Sequence, residues 1–276
     1  MNERESLLTR IADALERLAP SPRSETDWTT SPAYVWTGAG ATRSINHIEA
    51  PTLKQMRGID TQKQTVAENI ARLAAGYAAH DMLLWGARGM GKSALLRASV
   101  AAAQETNRGR IALVQIAQEA LSNLSGLFGA LGAIDRRFII FIDDLGFEAG
   151  DSIGPRLLRS WLEGGVEARP ANIRLAVTSN RRAIVARHLS EQDDPINPRD
   201  AVDDRLALAD RFGLSIGFHN CSQEDYLQIV AGYAEDYGLE WQLSDALEWS
   251  KRRGARSGRV AWQYIVELAG RAGKPI

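Results

Sequence analysis

Eight consecutive residues, Gly86-Ala87-Arg88-Gly89-Met90-Gly91-Lys92-Ser93, set three glycines, a lysine and a serine at the spacing G-x-x-x-x-G-K-[ST]. Glycines at those positions let successive main-chain N–H groups turn inward around a phosphate. The apolar run MLLW (82–85) precedes the loop and GKSALLRASVAAAQ (91–104) follows it, which predicts strand, loop and helix in that order. The N-terminus of that helix, with Ala94 in its first turn, adds partial positive charge. In this frame Lys92 reaches the β- and γ-phosphates of a nucleotide and the Ser93 hydroxyl ligates Mg²⁺. The loop alone does not separate a kinase, a GTPase, a switch and a motor.

A second chemical constellation closes the run RFIIFIDD (137–144). An apolar strand buried on both faces should not end in two carboxylates without a cation or strong donors beside them. Asp143 is placed to hold Mg²⁺, directly or through water, and Asp144 to orient and polarise an attacking water. Glu148 is a lesser candidate for the second role. AVTSNRR (176–182) ends another apolar run with Asn180, which is either an ordinary turn former or a contact to the γ-phosphate. LADRFGLSIGF (208–218) puts Arg211 before a further strand. It reads as a surface arginine in a lone domain and as an arginine finger in a ring, with Arg205 as its competitor. The most basic stretch, KRRGARSGR (251–259), reads as a solvated helix end, as a nucleic-acid patch, or as the source of an arginine, Arg259, that folds back onto the phosphates. No aromatic interleaves its arginines to stack bases.

These residues need a scaffold, and the apolar periodicity supplies one. Strands are predicted at 82–85, 110–116, 137–142, 172–178 and 214–218, with helices at 60–79, 91–105, 153–166 and 198–209. Near-continuous apolar strands separated by helices imply an α/β fold with a five-stranded parallel sheet covered on both faces. Between the second and third strands, Leu127 and Phe128 read as helix core before partner contact. After residue 220 helices alone remain, near 223–237, 244–253 and 257–271. Ser222 and Asp225 have capping-box spacing, and Gly238 stands at a helix C-terminus. The expected organisation is an amphipathic helix in 1–20, a linker over 21–57 anchored by Trp28, Tyr34 and Trp36, an α/β domain over 58–220 and a helical lid over 221–276.

Composition narrows the classes. The 276 residues are 45% hydrophobic, enough for a sizeable core. With 33 basic and 34 acidic residues the net charge is -1, so nucleic-acid binding would need a local basic face. The single cysteine, Cys221, rules out an intrachain disulfide and suits a reducing cytoplasm. No apolar run is long enough for a membrane span, and the charged N-terminus does not read as a signal peptide.

The order of these motifs resembles that of an AAA+ ATPase over residues 56–272. More narrowly, GIDTQK, LLWGARGMGKS, FIDDLGFE, LEGG with EARP, TSNRR, LADRFGL and SGRVAWQYI are similar to an uncharacterised bacterial AAA+ family of predicted ATPases. The resemblance implies a P-loop fold with ATP and Mg²⁺ between an α/β domain and a helical lid. It implies Walker A at Gly86–Ser93, Walker B at Asp143 and Asp144, sensor 1 at Asn180, the arginine finger at Arg211 and sensor 2 at Arg259. Ile59 and Asp60 would border the adenine. A homo-oligomeric ring of six subunits acting on an unknown protein partner is implied too. The Asp-Asp pair departs from the usual Asp-Glu by one methylene, which implies slow or partner-stimulated hydrolysis. Helicase-loader and transposition-regulator ATPases share that pair, which keeps action on DNA as the rival reading. A nucleotide-locked assembly switch is the other.

Overall fold

The computed structural model describes residue 10 and residues 26–38, 42–107, 109–146, 153–163, 169–180 and 208–276. The elements are β1 (Ala33–Trp36), β2 (Thr42–Ile45), α1 (Asp60–Ala74), β3 (Met82–Gly86), α2 (Lys92–Thr106), β4 (Ile111–Ile116), α3 (Leu124–Gly132), β5 (Arg137–Ile142), α4 (Ile153–Glu163), β6 (Ile173–Ser179), β7 (Leu214–Phe218), α5 (Gln223–Asp236), α6 (Leu243–Arg252) and α7 (Gly258–Arg271). The helix expected in residues 1–20 lies outside the described residues except at residue 10, as do Glu148, Arg205 and most of the helix expected at 198–209. Among the described residues no helix is long and apolar enough to cross a membrane.

The strands form one sheet in the order β2-β1-β4-β5-β6-β3-β7. Every pairing is parallel except β1 with β2. The sheet therefore has seven strands, not the five expected. The two extra strands come from residues 33–45, inside the stretch read as a linker. Each is only four residues long, AYVW and TRSI, too short to carry a period of its own. What fixes β1 is its neighbours. Trp28, Tyr34 and Trp36 are buried against the sheet. Arg136, itself buried, donates from its guanidinium to Trp28 O at 2.8 Å and to Ile111 O at 3.3 Å.

Alternate residues of the central strands enter two separate cores, as the pleat requires. Met82, Leu84, Ile139 and Phe141 face α1 and α2 in one core. Leu83, Phe138, Ile140 and Val177 face α3 and the β1 aromatics in the other. Leu127 and Phe128 are buried there, as helix core. The result is helix, sheet and helix in three layers, with chemistry left to the strand ends.

The last three helices pack on one another, and Tyr226, Val230, Ala261, Tyr264 and Ile265 bury their core. The expected caps form. Ser222 Oγ accepts from Asp225 N–H at 3.0 Å, and the Asp225 carboxylate accepts from Ser222 N–H at 3.1 Å. Gly238, at φ 57°, closes α5 with bonds from Gly238 N–H to Glu235 O and from Leu239 N–H to Ala234 O.

Candidate active site

The loop between β3 and α2 takes its shape from glycine backbone that other residues resist. Gly86, Gly89 and Gly91 have φ of 123°, 76° and 88°. At Gly86 the need is also steric, because an added Cβ would lie 2.1 Å from Phe218 O of β7. That edge is pinned by Ala87 N–H donating to the same carbonyl at 2.8 Å.

Lys92 is 7% exposed and its ammonium donates to Gly86 O and Ala87 O, both at 2.8 Å. A longer contact, 3.4 Å, reaches Asn180 Oδ1. Burial lowers the Lys92 pKa, and the facing carboxylates of Asp144 and Asp143 oppose that shift.

The ends of β5 and β6 bring the carboxylates to the same place. Register pairs Ile142 with Val177, so Asp143 meets Thr178 next in line. Thr178 Oγ1 donates to Asp143 Oδ1 at 2.6 Å and accepts the Asp144 N–H at 2.8 Å. Ser93 Oγ donates to the same Asp143 oxygen at 2.6 Å. Asp144 adopts φ 51°, a left-handed turn that aspartate tolerates better than most residues. Its carboxylate accepts a short hydrogen bond from Asn180 Nδ2. Lys92, Ser93, Asp143, Asp144 and Asn180, drawn from three segments of the sequence, thus form one connected network.

The network opens into a cavity of about 950 Å³ between the sheet ends and the C-terminal helices. Arg88, Gly89, Met90, Gly91, Lys92, Ser93 and Ala94 line it, together with Asp143, Asp144, Asn180, Ile59 and Arg259. Arg57, Arg88, Lys92, Arg97 and Arg259 outnumber Glu49, Asp143 and Asp144 along the wall, which favours an anionic ligand. Arg259 meets the loop through its main chain, its N–H donating to Gly89 O at 3.0 Å.

Four expected site residues do not line the cavity. Gly86 and Ala87 do not line the cavity, and their carbonyls accept hydrogen bonds from Lys92. Asp60 does not line the cavity. Its side chain is 78% exposed and pairs with Lys63 at 2.6 Å, because the first turn of α1 points it away from Ile59. Arg211 stands just before β7, half-buried and outside its own chain's cavity.

Sequence reasoning missed Thr178, whose role depends on strand register, and the cavity aromatics Tyr233, Tyr237 and Trp262. The 3.6-residue period of α5 and α7 signals only that these rings share helix faces.

The donor set suits Mg²⁺ and phosphate. A hydroxyl and a carboxylate, hard oxygen ligands, meet at Ser93 and Asp143. The cradle around Gly89 is so close that a Cβ there would lie 2.8 Å from Ser257 Oγ. Among the described residues no group of three or more His, Cys, Asp or Glu could hold a metal by itself.

Solved structures with this architecture exist. The RuvB Holliday junction branch migration motor of Thermotoga maritima is 16% identical, with a TM-score of 0.51 over 81% of this chain and 66% of that one. The ORC2 protein of Aeropyrum pernix, solved in ADPNP–ADP complexes, is 16% identical, with a TM-score of 0.53 over 83% and 66%. The ORC1 protein of Aeropyrum pernix in complex with DNA is 17% identical, with a TM-score of 0.52 over 78% and 61%. The chain thus spans less than two thirds of the length of each. At such identities the likeness is one of fold, the AAA+ α/β fold. No curated protein matches significantly. A family model described as "Protein of unknown function (DUF815)" matches residues 29–272, from the approach to β1 through the end of α7, and the chain belongs to that family.

Proposed function

We propose that the protein is a Mg²⁺-dependent ATPase whose subunits assemble in a ring and remodel or load a partner. The observation that carries this reading is the network around Asp143 and Asp144, which joins a phosphate loop to two carboxylates and a strand-end amide in one cavity. In this reading Ser93 and Asp143 hold Mg²⁺, which offsets phosphate charge when bound. Lys92 and the loop N–H groups bind the β- and γ-phosphates. Asp144 accepts a proton from the attacking water, and Asn180 positions both water and carboxylate. Arg259 reaches the phosphates from α7. Arg211 lies outside its own cavity, which supports a role in a neighbour's site.

The test is single-turnover hydrolysis of ATP with Mg²⁺ at high protein concentration. Wild type should release phosphate. Asp144→Asn should bind ATP and release none, and Lys92→Ala should bind about ten-fold more weakly or worse, from one lost charge-assisted contact. Binding without any phosphate release by wild type would leave the nucleotide-locked switch as the reading.

A second reading has its own observation. Lys251 and Arg252 end α6, Arg253 and Arg256 stand on the turn after it, and all four are exposed. The RuvB and ORC1 structures are of a junction-migrating motor and a DNA-bound protein. Salt-dependent duplex binding whose slope shrinks in Arg252→Ala/Arg253→Ala would support action on DNA.

A further inference from the structure

We infer that Trp262, braced by Tyr233 and Tyr237, recognises the nucleobase of the bound nucleotide. The inference rests on the nucleotide reading above and assigns the part of the cavity that the phosphate chemistry leaves unused. Helix α7 starts against the phosphate loop, where Arg259 N–H meets Gly89 O at 3.0 Å. Trp262 follows three residues later on the same helix face, about 4.5 Å further along the axis. Both residues line the cavity, so this face leads from its phosphate end into its interior.

Helix α5 supplies the bracing. Ile229, Tyr233 and Tyr237 recur every four residues and all line the cavity. The Tyr233 and Tyr237 rings lie 5.3 and 5.6 Å from Trp262, centroid to centroid, at interplanar angles of 68° and 59°. Edge-on packing of this kind holds an indole in place without stacking flat against it. Met56 and Ile59, which also line the cavity, lie beside Gly91, with Met56 Cε 3.1 Å from the position of an added Cβ there.

The plainer account makes these rings core of the helical bundle. Burial argues against it. The bundle core is Tyr226, Ala261, Tyr264 and Ile265, each at most 1% exposed. Tyr233, Tyr237 and Trp262 pack against that core but remain only partly buried, and each also lines the cavity. A π-face has no charge to offer a phosphate but does offer stacking to any base.

The test compares two ligands with Mg²⁺ by calorimetry on the full chain: ATP, and inorganic tripolyphosphate, which lacks the base. Trp262→Ala should weaken ATP about ten-fold while leaving tripolyphosphate unchanged. Trp262→Leu keeps apolar bulk and removes the ring, and should give the same split if Trp262→Ala does not fold. Equal weakening of both ligands would show that Trp262 acts through the loop, and unchanged ATP affinity would show no contact. Either result overturns the inference, as would a wild type that binds both ligands equally. A wild type that binds neither sinks the nucleotide reading itself.

Discussion

Replacing Thr178 with valine keeps the shape of a side chain that is 1% exposed and deletes one hydroxyl. That hydroxyl donates to the Asp143 carboxylate at 2.6 Å and accepts the Asp144 N–H at 2.8 Å. Losing a hydrogen bond to a charged acceptor costs about 1.5–3 kcal/mol, and an orphaned buried N–H about 1–3 kcal/mol. Asp143 retains Ser93 Oγ at 2.6 Å, so the first figure belongs at its lower end. The Asp144 N–H is only part-buried and can reach water, so the second figure also belongs at its lower end, and a net destabilisation of about 2–3 kcal/mol follows. Catalysis should suffer separately. The left-handed Asp144 backbone, φ 51°, is tethered by this bond and by Leu145 N–H to Thr178 O at 2.8 Å. With one tether gone, Asp144 is released from a conformation that costs about 1–3 kcal/mol, and its carboxylate moves off its position. The assay pairs urea denaturation with single-turnover hydrolysis at saturating ATP. Thr178→Val should lose stability and rate while still binding ATP, and Thr178→Ser should recover most of both. A valine variant as stable and as fast as wild type would refute the assignment of Thr178 as the strut of this site.

Other substitutions probe other joints. Gly86→Ala should destabilise by about 3 kcal/mol or more in thermal melts, since its Cβ meets the Phe218 carbonyl. Gly109→Ala, at φ 75° but with nothing within 4 Å, should cost only about 1 kcal/mol. Arg211→Ala should bind ATP normally and hydrolyse none, and mixing it with Asp144→Ala protein should restore part of the activity. No rescue at any ratio would argue against sites shared between subunits. Burial pushes the Cys221 thiol up from 9.0 to about 11 and the Tyr226 phenol up from 10.0 to about 12, and raises Tyr233 and Tyr264. Each group's folded value lies above its unfolded one, so their contribution is complete below pH 9 and is lost as pH rises through 11 and 12. Melting temperature should fall over that window, and Tyr226→Phe should flatten the upper part of the fall.

What the sequence disclosed was chemistry carried by adjacent residues. The glycine spacing of 86–93, the aspartates closing β5 and the capping box at Ser222 are local rules, and each appears where expected. The five apolar strands were legible because burial, on both faces for β3, β4, β5 and β6, leaves few polar residues to interrupt them. What stayed hidden depends on partners distant in sequence. β1 is held by its ladder with β4, far along the chain, while Arg136 holds the nearby Trp28 carbonyl. Thr178 matters because β6 lies beside β5 in one particular register. The family resemblance implied Ile59 and Asp60 beside the adenine; Ile59 lines the cavity, while the Asp60 side chain is exposed and pairs with Lys63.

The bond from Arg259 N–H to Gly89 O joins the helical bundle to the phosphate loop through backbone alone. Side-chain variation therefore leaves the coupling standing, and among the standard residues only proline at 259 deletes the donor. Drift in the arginine side chain can retune how the site meets phosphate without uncoupling bundle and loop. The bundle behaves as a handle attached to the loop itself: turning it must either carry Gly89 along or break that one bond first.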